Sequence, residues 1–231
     1  MNKLDEYKFS TNTGFNSKLL ELRYEHFKKF FKGKTCLELG CADGKGTKML
    51  LKYFDEVVAV DGSEKLINQA KREIKSSKVT FITSYFENLI TKKKFDVIVL
   101  AHILEHVDDP VQILKVAKKF LKKGGHMLVD VPNALSIHRQ VGVLMGMIKT
   151  EYTLNDADLS IGHQRVYDLD LLKKDMKKVG LKVVNEGGIF LKPFSNAQME
   201  TLLDEKGVNA FNEVGSRYPH LSAEIFVVCT V

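Results

Sequence analysis

T-C-L-E-L-G-C-A-D-G-K-G-T, residues Thr35 to Thr47, is the stretch that decides the fold of this chain. It reads as a strand that runs into a glycine-rich turn and opens a helix, and such a turn lets a ligand approach backbone where a side chain would block it. A nucleotide-type site of this kind also calls for an acidic residue about 20 positions on, at the end of the next strand, to hold ribose hydroxyls. Asp61 in V-V-A-V-D-G-S stands there, with Gly62 beside it.

Charge narrows the choice of nucleotide. A dinucleotide site seats its pyrophosphate on bare amides at a helix N-terminus, within G-x-G-x-x-G. Here Gly40, Ala42, Gly44 and Gly46 frame the turn, but Glu38 precedes it and Asp43 lies inside it. Two carboxylates repel a pyrophosphate. They suit a cofactor that carries an ammonium and a sulfonium and no phosphate, which is S-adenosylmethionine.

With V-A-V-D-G-S, the run C-L-E-L-G-C-A-D-G-K-G resembles the first two motifs of class I S-adenosylmethionine-dependent methyltransferases. The likeness continues through F-D-V-I-V-L-A-H-I-L-E-H-V-D-D-P and L-K-K-G-G-H-M-L-V-D-V-P-N, and covers roughly Lys34 to Asn133. The resemblance implies that Glu38, Gly40, Ala42 and Asp43 hold the methionine part of the cofactor and Asp61 its ribose, with S-adenosylhomocysteine as the product. It also implies a Rossmann-like fold: seven strands, mostly parallel, helices on both faces and the last strand antiparallel. After the third strand the family often has an acid that contacts the adenine amine. This chain has Tyr85, followed by Phe86, and either ring is expected to pack on the base or to face the core.

Outward from these motifs, strands and helices alternate, as a parallel sheet covered on both faces requires. Residues 16–31 carry Leu19, Leu20, Leu22, Phe27, Phe30 and Phe31 at helical spacing, so a helix is expected there. The segment before it, Y-K-F-S-T-N-T-G-F, reads as a frayed terminus or, by resemblance, as a flap over the site. Ser63 is placed to cap the helix after Asp61, and Val107 to Pro110 form the turn into the next one. Residues 196–214 read as one helix, with the region 196–220 alternatively a homodimer surface, before the closing strand A-E-I-F-V-V-C-T-V.

The run Phe95 to Leu100 is continuously apolar, as a buried central strand should be, and it delivers A-H-I-L-E-H to the site. On a helical turn His102, Glu105 and His106 share one face. His106 is a candidate general base with Glu105 orienting it, and His102 a substrate contact. The alternative is a metal: related quinone-pathway O-methyltransferases carry E-x-x-E-H here, with a proposed divalent ion. Since His102 replaces the first acid, no metal is expected.

After Pro132-Asn133 comes an insertion, residues 133–167, in the position of an acceptor lid. It concentrates His138, Arg139, His163, Arg165 and Tyr167. Arginine offers a planar, permanently charged fork for carboxylate or phosphate, so the acceptor is expected to be an anionic small molecule, with His163 a second candidate base. The other reading is that these residues tie the lid to the core through Asp156, Asp158 and Asp168.

The 231 residues allow one sizeable core, so a single domain, 1–231, is expected, with 1–33 an N-terminal segment and helix. Three cysteines with no C-x-x-C pair argue against disulfides and structural zinc, and a reduced cytoplasm fits. No long apolar run or signal peptide is visible. The net charge of +6 comes mostly from lysines spread over helices, with no arginine-rich tract, so solvated helix faces account for most of it; nucleic-acid binding, which calls for clustering on one face, is the lesser reading. The expectation is O-methylation of a small polar acceptor, such as a sugar, sugar nucleotide or phosphorylated compound of surface polysaccharide synthesis. The rivals are N-methylation of a small amine, an RNA or protein methyltransferase, and a binding module that kept the fold. Against base modification, A-H-I-L stands where that branch carries an N-P-P-Y-type tetrad.

Overall fold

The computed structural model describes residues 14–231; of the expected flap, residues 7–15, the part 7–13 lies outside them, and Gly14 and Phe15 open the first helix. Seven strands form one sheet in the order β3-β2-β1-β4-β5-β7-β6. They are β1 (Thr35–Leu39), β2 (Glu56–Asp61), β3 (Val79–Thr83), β4 (Phe95–Ala101), β5 (Leu121–Pro132), β6 (Lys182–Ile189) and β7 (Glu224–Thr230). The first five run parallel, and β7 enters antiparallel between β5 and β6.

Apolar side chains leave both faces of the central strands, which is why these strands lack polar alternation. Leu37, Leu39, Ile98, Leu100, Val129 and Val227 point to one face, against Leu104, Ile113, Leu172 and Met176. Their neighbours Cys36, Val97, Val99, Leu128 and Val228 point to the other, against Phe27, Leu50 and Phe54. The helices that cover these faces are α1 (Gly14–Phe27), α2 (Lys45–Leu50), α3 (Glu64–Glu73), α4 (Pro110–Phe120), α7 (Leu169–Lys178) and α9 (Glu205–Arg217). Ser63 caps α3 through the Leu66 amide at 3.2 Å, and Asp109 caps α4 through Gln112 at 3.0 Å, as their positions before apolar periodic runs predict.

Strand order reverses between β1 and β4, which opens a crevice at their carboxyl ends. The antiparallel β7 completes it. Because Pro132 at the end of β5 pairs with Glu224 at the start of β7, the first residue of β7 arrives at the same edge of the sheet.

Two helices differ from the sequence reading. The one expected over 16–31 runs from Gly14 to Phe27, with a 3-10 turn over Lys28–Phe30. The single helix expected over 196–214 is two, α8 (Asn196–Leu202) and α9, because the Asp204 side chain accepts the Gly207 amide at 2.8 Å and starts a new helix. The insertion holds two short helices, α5 (Ile137–Leu144) and α6 (Asp156–Ser160), the second capped reciprocally by Asn155 and Asp158. Among the described residues, no helix is long and apolar enough to cross a membrane.

Candidate active site

A cavity of about 600 Å³ opens over the carboxyl ends of β1 and β4, within the usual size range of small-molecule sites. One end is built by the glycine turn. Gly40 and Cys41 donate their amides to the Val60 carbonyl at 2.8 and 3.1 Å, which ties the turn to β2. The Ala42 and Ser63 amides donate to the two oxygens of Asp61, each at 2.9 Å, so the carboxylate is fixed at the mouth of the turn. Gly46 has no alternative: a Cβ there would collide with the Tyr24 hydroxyl and the Glu38 carboxylate.

Glu38 is buried, and its oxygens accept the hydroxyls of Tyr24 at 2.7 Å and Thr47 at 2.5 Å. Burial raises its carboxyl to about 7, against the pull of those two hydrogen bonds. A cation in the cavity would hold it ionised. All eight residues expected at the cofactor line this cavity: Glu38, Gly40, Ala42, Asp43, Asp61, Gly62, Tyr85 and Phe86. Three carboxylates around a turn without bulk fit the ammonium and sulfonium of S-adenosylmethionine and its ribose hydroxyls. Asp61→Ala is expected to weaken its binding by about 1.5 to 3 kcal/mol, the worth of charge-assisted hydrogen bonds. Calorimetric titration of both proteins decides this, and equal affinities would remove Asp61 from the site.

The other end is built by the loop after β4. His102, whose φ of 54° is a strained conformation for a residue with a Cβ, lies within 3.4 Å of Glu105, 3.5 Å of Asp130 and 3.3 Å of Glu224. Arg23 of α1 reaches the same group, with Asp130 at 2.5 Å and Glu224 at 2.8 Å. Burial, then the Arg23 charge, lowers His102 to about 4. Burial raises Glu105 and Asp130 well above the carboxylate range, whereas Arg23 and His102 hold Glu224 below it although burial opposes them.

The lid supplies His163, which meets the His106 ring edge-on with centroids 4.7 Å apart. Its Nδ1 faces Asp158 at 3.3 Å. Gln164 and Arg165 set this contact by clasping the β4 loop. The Gln164 amide donates to the Glu105 carbonyl at 2.8 Å, and Arg165 donates to the carbonyls of Leu104, Val107 and Asp108.

Four residues expected at the acceptor are held elsewhere. Arg165 is spent on that clasp. Arg139 is buried and donates to Asp158 at 3.0 Å and to the carbonyls of Glu151 and Thr153, so neither arginine presents its fork to the cavity. Tyr167 is buried with its hydroxyl on Asp175 at 3.1 Å, and His138, lowered to about 3 by burial and the nearby Lys192 charge, also stands away from the lining. Arg165 ties the lid to the loop after β4 and Tyr167 ties it to α7, whereas Arg139 braces the lid internally through Asp158; Asp156 and Asp168, expected to make such ties, pair with none of these four side chains.

Sequence reasoning missed Arg23, Tyr24, Asp130 and Glu224. Asp130 and Glu224 carried a signal: Asp130 lies within the apolar stretch M-L-V-D-V-P and Glu224 opens the apolar run I-F-V-V-C, where an unpaired charge is costly. Among the described residues, two groups place potential metal-ligating atoms within 4.8 Å of one another, Glu105 with His106 and His163, and His102 with Asp130 and Glu224.

Comparison with known proteins bears on the family and the fold. The family model described as "Methyltransferase domain" matches residues 13–186. The ubiquinone biosynthesis O-methyltransferase of Pelagibacter ubique is 36% identical over 99 residues, 42% of this chain and 41% of that protein. That of Cereibacter sphaeroides is 26% identical over 175 residues, 71% of this chain and 67% of that one. The chain spans about half or less of the length of the first of these curated relatives. A Mesorhizobium loti S-adenosylmethionine-dependent methyltransferase superposes with a TM-score of 0.63 at 13% identity, covering 92% of this chain and all of that one (100%). The N-methyltransferase NodS of Bradyrhizobium japonicum, solved with S-adenosylhomocysteine, gives 0.56 at 16% identity, covering 93% and 84%. At such identities the likeness is one of fold, and together with the matched domain it places the chain in the methyltransferase-domain family.

Proposed function

We propose that this protein methylates a hydroxyl oxygen of a small acceptor at the expense of S-adenosylmethionine, with His163 as the general base. The observation that carries the proposal is the Asp158–His163 contact at the wall of the cavity. Asp158 is lowered to about 2: burial pushes it up, but hydrogen bonds from His163, the Asn155 amide and Arg139 outweigh that. It is therefore ionised across the working pH range. An ionised partner on Nδ1 fixes the tautomer that leaves Nε2 as acceptor, and it stabilises the imidazolium that forms when the hydroxyl gives up its proton.

His106, the other candidate from sequence, is lowered to about 3 by burial and by the neighbouring His163 and His102. That makes it a weak base, suited to holding the His163 ring in place. When bound, S-adenosylmethionine supplies a methyl already activated by the sulfonium. The chain's own task is alignment, which can supply about 7 to 11 kcal/mol, and removal of one proton.

The curated relatives act in ubiquinone biosynthesis, which supports an oxygen acceptor. Neither they nor the site support a surface-polysaccharide substrate, and with both lid arginines engaged the case for an anionic acceptor is lost. The test is methyl transfer from isotopically labelled S-adenosylmethionine to a panel of hydroxylated and aminated metabolites. Label found only on nitrogen or carbon would refute the assignment to oxygen. The mechanism uses no metal, so EDTA should leave turnover unchanged; loss restored by a divalent ion would reassign the histidines as ligands.

A further inference from the structure

The charges of the cavity are one-sided. Among the described residues its lining holds six carboxyl side chains, Glu38, Asp43, Asp61, Glu87, Asp108 and Glu224, against one guanidinium, Arg23, and no lysine. This stands out in a protein whose formal net charge is +6. Glu38, Asp43 and Asp61 belong to the cofactor end. At the acceptor end the single cation is engaged twice, by Asp130 and Glu224, and the lid arginines are turned to the protein itself. Behind His102, Glu105 is fully buried and neither of its oxygens accepts a hydrogen bond.

We infer that the acceptor carries an ammonium group, seated against Glu224 beside the His102 ring, as well as the hydroxyl that is methylated. This rests on the methyltransferase reading of the cavity given above. A carboxylate or phosphate there would face like charges in a medium of low dielectric. An ammonium gains a charge-assisted hydrogen bond, and its field opposes the burial that raises Glu105 and Asp130. The pairing also assigns the nucleophile. An ammonium held by a carboxylate keeps its proton and its lone pair stays unavailable, so the methyl goes to the hydroxyl near His163.

The experiment uses the wild-type chain in EDTA, titrated first with S-adenosylhomocysteine and then, in that complex, with two series matched in shape. These are glucosamine, glucose and glucuronate, and dopamine, 4-methylcatechol and 3,4-dihydroxyphenylacetate. The ammonium member is expected to bind at least about tenfold tighter than the neutral one, with the carboxylate weakest. Glu224→Gln should erase that order. If S-adenosylhomocysteine itself does not bind, the methyltransferase reading fails. If it binds and the carboxylate member equals or exceeds the ammonium one, or neither series binds, only the ammonium inference falls. Should the Glu224→Gln protein fail to fold, the wild-type ranking decides.

Discussion

Replacing His163 with alanine is expected to lower turnover about a hundredfold to ten-thousandfold, the usual contribution of a positioned base, while S-adenosylmethionine affinity stays nearly the same. His163 stands at the lid side of the cavity, whereas the groups assigned to the cofactor come from β1, β2, the turn between β1 and α2, and the Tyr85–Phe86 segment. A base acts in the transition state, so the loss should fall on kcat and on kcat/KM together. Asp158→Asn should cost part of the same factor by disturbing the tautomer, but it also removes the carboxylate that holds Arg139 at 3.0 Å, so its lid stability must be measured alongside. His106→Ala should cost less than His163→Ala, because burial already makes His106 a poor base. Steady-state kinetics with the acceptor found in the label screen give the ranking. A His106 variant more damaged than the His163 variant would exchange their roles.

The cofactor end was legible because its chemistry is local. A turn without side chains and an acid about 20 residues on are spaced by the geometry of a single strand–helix–strand unit, so the one-dimensional pattern carries the three-dimensional one. The same holds for the caps at Ser63 and Asp109, which act within three residues of themselves. The lid was misread for the converse reason. Arg139 and Arg165 have the composition of an anion site, but whether a guanidinium faces a cavity or a carbonyl depends on where loops 151–158 and 104–108 pass, and no periodicity encodes that. The Arg23, His102, Asp130 and Glu224 cluster draws on α1, the β4 loop, β5 and β7, up to 201 residues apart along the chain. Only the antiparallel entry of β7 brings Glu224 to that edge of the sheet, so the acid could be noticed in sequence but not placed.

Arg23→Ala should destabilise the fold by about 3 to 5 kcal/mol, the cost of removing one partner from a buried ion pair. For a chain of this size that corresponds to a fall in Tm of about 6 to 20 °C. Arg23 is buried with its Nε on Asp130 at 2.5 Å and an Nη on Glu224 at 2.8 Å, and one fork serving two acids is something a lysine cannot reproduce. The sign of the pH dependence follows from the carboxyls. In the wild type Glu224 lies below its usual value because Arg23 and His102 outweigh burial, so its stabilising contribution is present above the ordinary carboxylate range and is lost only as pH falls through the depressed value. Burial already raises Asp130 in the wild type; without Arg23 it dominates at Glu224 as well, and both folded values rise. Each then costs stability as pH rises, since the folded state must give up a proton it prefers to keep. The deficit of the variant should therefore be larger at pH 8 than at pH 5, where protonation relieves the unpaired charges. Adding Asp130→Asn and Glu224→Gln to Arg23→Met should recover much of the loss, because a neutral buried cluster needs no counter-charge. Thermal unfolding at both pH values measures all three proteins, and a deficit equal at pH 5 and pH 8 would mean that packing of the arginine stem, not its charge, holds α1 to the sheet.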